Sequence, residues 1–149
     1  MLMIGLIALV LAAMAYVRLA PSDPARWHVA LAADGGAAAD CTAALRQGRG
    51  DARAACLVPG PATAVLARLD AIALATPRTT RLAGSAEAGR ITWITRSALW
   101  GFPDYTTAQA VDLDGTTRLD IHARLRFGGS DLGVNAARLG DWLARLSKG

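Results

Sequence analysis

The chain of 149 residues contains one lysine, one glutamate, two cysteines and two histidines. So few Cys and His exclude a Cys-rich zinc domain and a disulfide-dense miniprotein. Aromatic residues make up only 5% of the chain and do not interleave with the basic residues. With a net charge of just +4, nucleic acid is a poor fit as a partner. Long hydrophobic runs are missing everywhere except at the start, which excludes a multi-span transporter. The length suits one domain and is too short for two sizeable ones. What is abundant is alanine, with 33 residues, and arginine, which supplies 15 of the 16 basic side chains.

Residues 1–17 read MLMIGLIALVLAAMAYV and carry no charge. With Leu19 and Ala20 the run approaches the ~20 residues that span a bilayer, and Arg18 near its end can snorkel. Residues 1–20 are therefore expected to be a transmembrane anchor or a signal segment. Ala13-Met14-Ala15 offers an A-x-A cleavage pattern, but no basic n-region precedes it, and the apolar run continues beyond it, favouring an uncleaved anchor. Two signals conflict over the side of the membrane. Arg18 and Arg26 follow the segment and argue for a cytoplasmic domain. Cys41 and Cys56 either form a disulfide, worth about 3 kcal/mol at most in the chain-entropy model and stable only in an oxidising compartment, or remain free thiols. The expectation is a single-pass membrane protein of the cell envelope with its domain on the periplasmic side.

Pro21-Ser22-Asp23-Pro24 stops the first helix. Over residues 21–61 only six of 41 residues are large and apolar, against 25 of 88 over 62–149. The first stretch thus reads as a tether, partly ordered near the cysteines and reaching roughly 35 Å as a flexible coil. The second reads as the folded domain. Val65, Leu66, Leu69, Ile72 and Ala73 follow helical spacing from Pro61 to Pro77. Thr79–Ser85 and Arg90–Leu99 read as strands. Asp114-Gly115 joins two alternating runs as a hairpin. A two-residue loop there pairs Leu113 with Thr116, Ala110 with Leu119, Ala108 with Ile121 and Tyr105 with Arg124. One face of the hairpin is then apolar; the other carries Arg118, Asp120, His122, Arg124 and Arg126 in a row. Leu139, Trp142, Leu143 and Leu146 mark a final helix. The expected fold is α+β: the N-terminal membrane helix, then a helix, a four-stranded antiparallel sheet and a C-terminal helix, with both helices on one face of the sheet.

Four constellations carry chemistry. Gly128–Asn135 (GGSDLGVN) precedes a helix and can hold an anion with Arg124, Arg126 and Arg138, or simply cap the helix through Asp131 or Asn135. The polar row can bind an acidic ligand or anionic headgroups, or be a solvated sheet face. Leu99, Trp100 and Phe102 can line a pocket, dip into a membrane, or close the core. Acid–base work can use Asp104 with Asp131, or Asp120 with His122, but no nucleophile elbow or metal-ligand spacing accompanies them. A zinc site from His28, Cys41, Cys56 and His122 lacks C-x-x-C pairing.

Two stretches, Thr95–Thr107 (TRSALWGFPDYTT) and Ala123–Leu139 (ARLRFGGSDLGVNAARL), resemble the domain-of-unknown-function family 1499, small bacterial proteins often carrying an N-terminal membrane segment. The likeness covers about residues 62–149, with Ser130–Asn135 (SDLGVN) its most specific part. Gly129 and Ala136 stand where members of that family often have basic residues. The resemblance implies one compact module and supplies no activity.

The expected function is a membrane-tethered, non-catalytic accessory or binding module, with no cofactor, no metal and no assigned catalytic residue. Its partner is expected to be a protein, an anionic lipid or a small acidic ligand, besides the membrane engaged by residues 1–20. The candidate ligand-binding residues are Arg96, Asp104, Tyr105, His122, Arg124, Arg126, Ser130, Asp131 and Asn135. The alternatives are a small hydrolase using Asp104, Asp131 and His122, and a structural subunit of a membrane complex.

Overall fold

A computed structural model describes residues 2–148. Its elements are α1 (Leu2–Leu19), α2 (Pro24–Trp27), β1 (Arg46–Gln47), β2 (Asp51–Pro59), α3 (Ala62–Leu74), β3 (Thr79–Ser85), β4 (Arg90–Arg96), β5 (Pro103–Leu113), β6 (Thr116–Leu125) and α4 (Val134–Leu146). The strands form one antiparallel sheet in the order β1-β2-β6-β5-β4-β3.

The β5–β6 hairpin has the register that its Asp-Gly turn dictates, Leu113 opposite Thr116 and Tyr105 opposite Arg124. Gly115 supplies the positive φ, +90°, that such a turn requires. Because side chains alternate along a strand, this register sends Leu119, Ile121 and Ala123 to one face, and Arg118, Asp120, His122 and Arg124 to the other. The first face meets α3 and α4. Val65, Leu66 and Leu69 of α3 and Leu139, Trp142, Leu143 and Leu146 of α4 are buried there around Trp93 and Ile121. The Trp93 and Trp142 rings meet edge-on at 5.6 Å between centroids.

The sheet has six strands rather than four. The two additional strands come from residues 21–61, the stretch expected to be a tether. Ala52, Ala54, Cys56 and Val58 alternate inward along β2 and are buried. These side chains are small, so a count of large apolar residues does not register them, yet they let α4 pack closely on β2. A disulfide joins Cys41 to Cys56, with 4.9 Å between the Cα atoms. It ties the loop after residue 38 to the middle of β2.

No helix among the described residues is long and apolar enough to cross a membrane, which overturns the single-pass anchor and the localisation built on it. The α1 helix has 18 residues. At 1.5 Å per residue it spans about 27 Å, against roughly 30 Å of hydrocarbon. Its last turn is also bound to the domain. Arg18 Nη2 donates to the Leu99 carbonyl at 3.0 Å, and Tyr16 packs edge-on against Phe127.

Candidate functional site

The polar face of the sheet is not open. Residues 20–38 cross it as a strap, and the arginine row holds that strap by its main chain. Arg118 Nη1 donates to the Gly35 carbonyl (3.0 Å), Arg124 Nη2 to the Trp27 carbonyl (2.7 Å) and Arg126 Nη1 to the Pro21 carbonyl (2.8 Å). Trp27, buried, lies flat on Tyr105 with ring centroids 3.8 Å apart, and the Arg124 guanidinium sits 5.4 Å from the Trp27 ring centre. Tyr105 Oη meets Ser22 Oγ at 2.7 Å and accepts from Arg126 at 3.0 Å. Farther along, His28 Nδ1 lies 2.9 Å from Thr92 Oγ1, and the Leu31 amide donates to Gln109 Oε1. Three of the expected ligand residues, Tyr105, Arg124 and Arg126, are therefore engaged by the chain itself.

Where the strap leaves the sheet it forms one wall of a cleft of about 430 Å³; the opposite wall is β2, β6 and the loop before β1. Arg46, Arg53, Asp120, His122 and Arg124 line it, with Asp34 on the strap side. The charges are ordered by direct contacts. Asp51 accepts from Arg53 Nε at 3.1 Å and from His122 Nε2 at 3.0 Å, while Arg124 Nη1 lies 3.4 Å from His122 Nδ1. A neutral imidazole with its proton on Nε2 satisfies both neighbours. Burial, then the Arg53 charge, lowers the His122 pKa below its usual value, against the pull of Asp51. Burial also lowers the Arg124 pKa. Asp120 is held by both Arg118 nitrogens at 2.8 and 2.9 Å. Arg46 donates only to the carbonyls of Ala43 and Leu45 among its resolved partners. The cleft thus offers guanidinium groups in a partly enclosed setting, where forked donors suit carboxylates and phosphates.

The remaining candidates lie elsewhere. Arg96 Nη1 donates to the Gly101 carbonyl and shapes the loop between β4 and β5. Ser130 Oγ accepts from the Leu132 amide in a local turn. Asp131 accepts from the amides of Gly133 (3.0 Å) and Asn135 (2.9 Å), so it takes up the free donors at the start of α4. Burial pushes its pKa up, but those amides outweigh it and hold the carboxyl below its ordinary value. Arg138 turns toward Asp104 (3.7 Å) and Asn135, while Arg124 and Arg126 point to the opposite face, so the three arginines do not converge on an anion loop. Asp104 lies under the start of α4, and burial raises its pKa to about 6 against the nearby Arg138 charge. His122 stands on the other side of the sheet, so the Asp104, Asp131 and His122 set proposed for hydrolysis is not assembled. Both cysteines of the zinc combination are consumed by the disulfide. Among the described residues, no cluster of three or more His, Cys, Asp or Glu side chains could hold a metal.

The family model described as "Protein of unknown function (DUF1499)" matches residues 19–146. The chain belongs to the DUF1499 family. The match begins at the last residue of α1 and takes in the strap, the disulfide and the whole sheet. In DUF1499 terms, the strap is thus part of the domain and not an appendage. No curated protein matches the chain.

Sequence reasoning missed Trp27, Arg46 and Arg53. Trp27 was visible as an isolated large aromatic residue in an alanine-rich stretch. The alternation in Asp51-Ala52-Arg53-Ala54 was the available signal for β2, and it places Arg53 on the same face as His122.

Proposed function

We propose that the protein is a non-catalytic binding module that seats a small acidic ligand in the cleft between the strap and β2–β6. The observation that carries this is the arginine set on a cleft of about 430 Å³, with the Asp120 carboxylate already engaged by Arg118. Arg46 and Arg53 reach the ligand; Arg124 and neutral His122 form the floor. Two such forks can each hold an oxyanion through paired N–H donors. Arg124 and Arg126 also keep the strap in place, so they are poor probes of binding.

The test is a titration of the full chain with inorganic phosphate and with succinate, followed at the His122 ring resonances. A saturable shift that is lost in Arg46→Ala and Arg53→Ala supports the reading. A linear drift that is the same in both variants refutes it.

A further inference from the structure

One end of the sheet gathers the loop between β4 and β5, the loop between β6 and α4, and the turn between β1 and β2. This end carries an unusual density of exposed apolar side chains: Leu99 at 70% exposure, Leu132 at 92%, Val134 at 55%, with Trp100 and Phe102 partly covered. The rings are contiguous, Trp100 with Phe102 at 6.3 Å and Phe102 with Phe127 at 6.2 Å. Leu132 is exceptional in a second way. Its φ is +53°, a left-handed backbone that bulky residues rarely adopt. The fold therefore strains its backbone to present a leucine to solvent, a combination that points to a contact made there.

The charge around this patch is of one sign. Arg18, Arg49, Arg78, Arg96 and Arg126 surround it. Arg18 is anchored to the Leu99 carbonyl, Arg78 to the Arg96 carbonyl, and Arg126 lies over the Phe127 ring at 4.9 Å. The carboxylates of the same end are already engaged. Asp23 bonds the Ala25 amide, Asp51 holds Arg53 and His122, Asp104 faces Arg138, and Asp131 caps α4. Apolar side chains within a ring of guanidinium groups match a surface whose interior is hydrocarbon and whose rim is phosphate.

We propose that this end of the domain docks on an anionic lipid surface, with Leu99, Trp100 and Leu132 entering the interface and the arginines meeting the headgroup phosphates. The contact is peripheral and needs no segment to cross the bilayer. It is independent of the cleft, which opens on the strap side of the sheet.

The test is co-sedimentation of the full chain with vesicles of phosphatidylcholine alone and of phosphatidylcholine mixed with phosphatidylglycerol, at low and high salt. The quantity read is the ratio of binding to the two vesicle types, because the exposed apolar α1 adheres to both alike. Each cationic side chain near an anionic surface strengthens binding about fivefold, so Arg18→Gln with Arg78→Gln should lower the ratio roughly twentyfold. Leu132→Gly should weaken anionic binding about tenfold or more. That substitution also relieves the left-handed backbone, so its melting temperature should be unchanged or higher, which separates lost docking from lost folding. Equal binding to both vesicle types, or an anionic preference that survives these substitutions, overturns the proposal. So does loss of self-association in the same variants without loss of vesicle binding, which would assign the patch to a contact between copies of the chain.

Discussion

Trp27→Ala separates a strap from a tether. In a free linker, truncating an exposed side chain changes stability by no more than about 0.5 kcal/mol. Here Trp27 is only 9% exposed and stacks on Tyr105, with Ile94 and partly buried Leu82 completing the cluster. Truncating a buried Trp costs about 3–5 kcal/mol. The stacked arrangement accounts for about 0.5–1.5 kcal/mol of that, recoverable as the coupling in a cycle with Tyr105→Ala. For a chain of this size the loss lowers the melting temperature by roughly 10 °C. Urea unfolding gives the free energy directly. Hydrogen exchange then shows whether the strap detaches alone. In that event the Leu31 amide, which donates to Gln109, exchanges faster in the variant while the core strands stay protected. A change within 0.5 kcal/mol, and a Leu31 amide no slower than an unstructured one in the unsubstituted protein, would refute the strap.

Two further outcomes follow from the disulfide and from Asp104. Replacing Cys41 and Cys56 with serine, or reducing the bond, opens a loop whose ends are 15 residues apart, and should cost about 3 kcal/mol in urea unfolding; an unchanged midpoint would show that the bond does not form. Asp104 has its pKa raised from 3.8 to about 6, mainly by burial. The folded state therefore holds that proton more tightly than the unfolded chain does, so this contribution is fully present below pH 3.8 and is lost as pH rises through about 6. It amounts to about 3 kcal/mol. His28 and His122, both lowered by burial first, act the other way, since the fold then disfavours their charged forms as pH falls below 6.5. The difference between the protein and Asp104→Asn isolates the carboxyl: it should vary across that acid window and level off above it. A difference that stays flat from acid to neutral pH would show an ordinary carboxylate.

The hairpin was legible because its information is local. An Asp-Gly turn fixes the pairing, pairing fixes the faces, and alternation on both strands agrees with them. The helices α3 and α4 were legible because their stripes use Leu, Ile, Val and Trp. The strand β2 was not, because its inward positions are Ala52, Ala54, Cys56 and Val58. Its membership of the sheet comes from pairing with β6, more than sixty residues away in sequence. A short-range pattern has no access to that contact. The apolar run of α1 was plain, but the attachment of its last turn to Leu99 and Phe127 is again a distant contact.

The site shows a different kind of blindness. A row of arginines in a sequence suggests an acidic visitor, because the obvious partner of a guanidinium is a carboxylate or phosphate. Arg118, Arg124 and Arg126 instead bind the carbonyls of Gly35, Trp27 and Pro21. Any residue can offer a carbonyl, so nothing in residues 20–38 advertises itself as the partner. The strap needs those bonds, since a segment laid across a polar sheet face must satisfy its own main chain. Replacing Arg124 or Arg126 would therefore release the strap as well as any ligand, and lost binding there would prove nothing about recognition. Arg53 differs: its side chain is 67% exposed and its one ion-pair partner, Asp51, is also held by His122. Its removal leaves the strap's bonds intact. A ligand that depends on Arg53 while the strap stays closed is recognised by the cleft, and one that requires the strap to open is competing for its place.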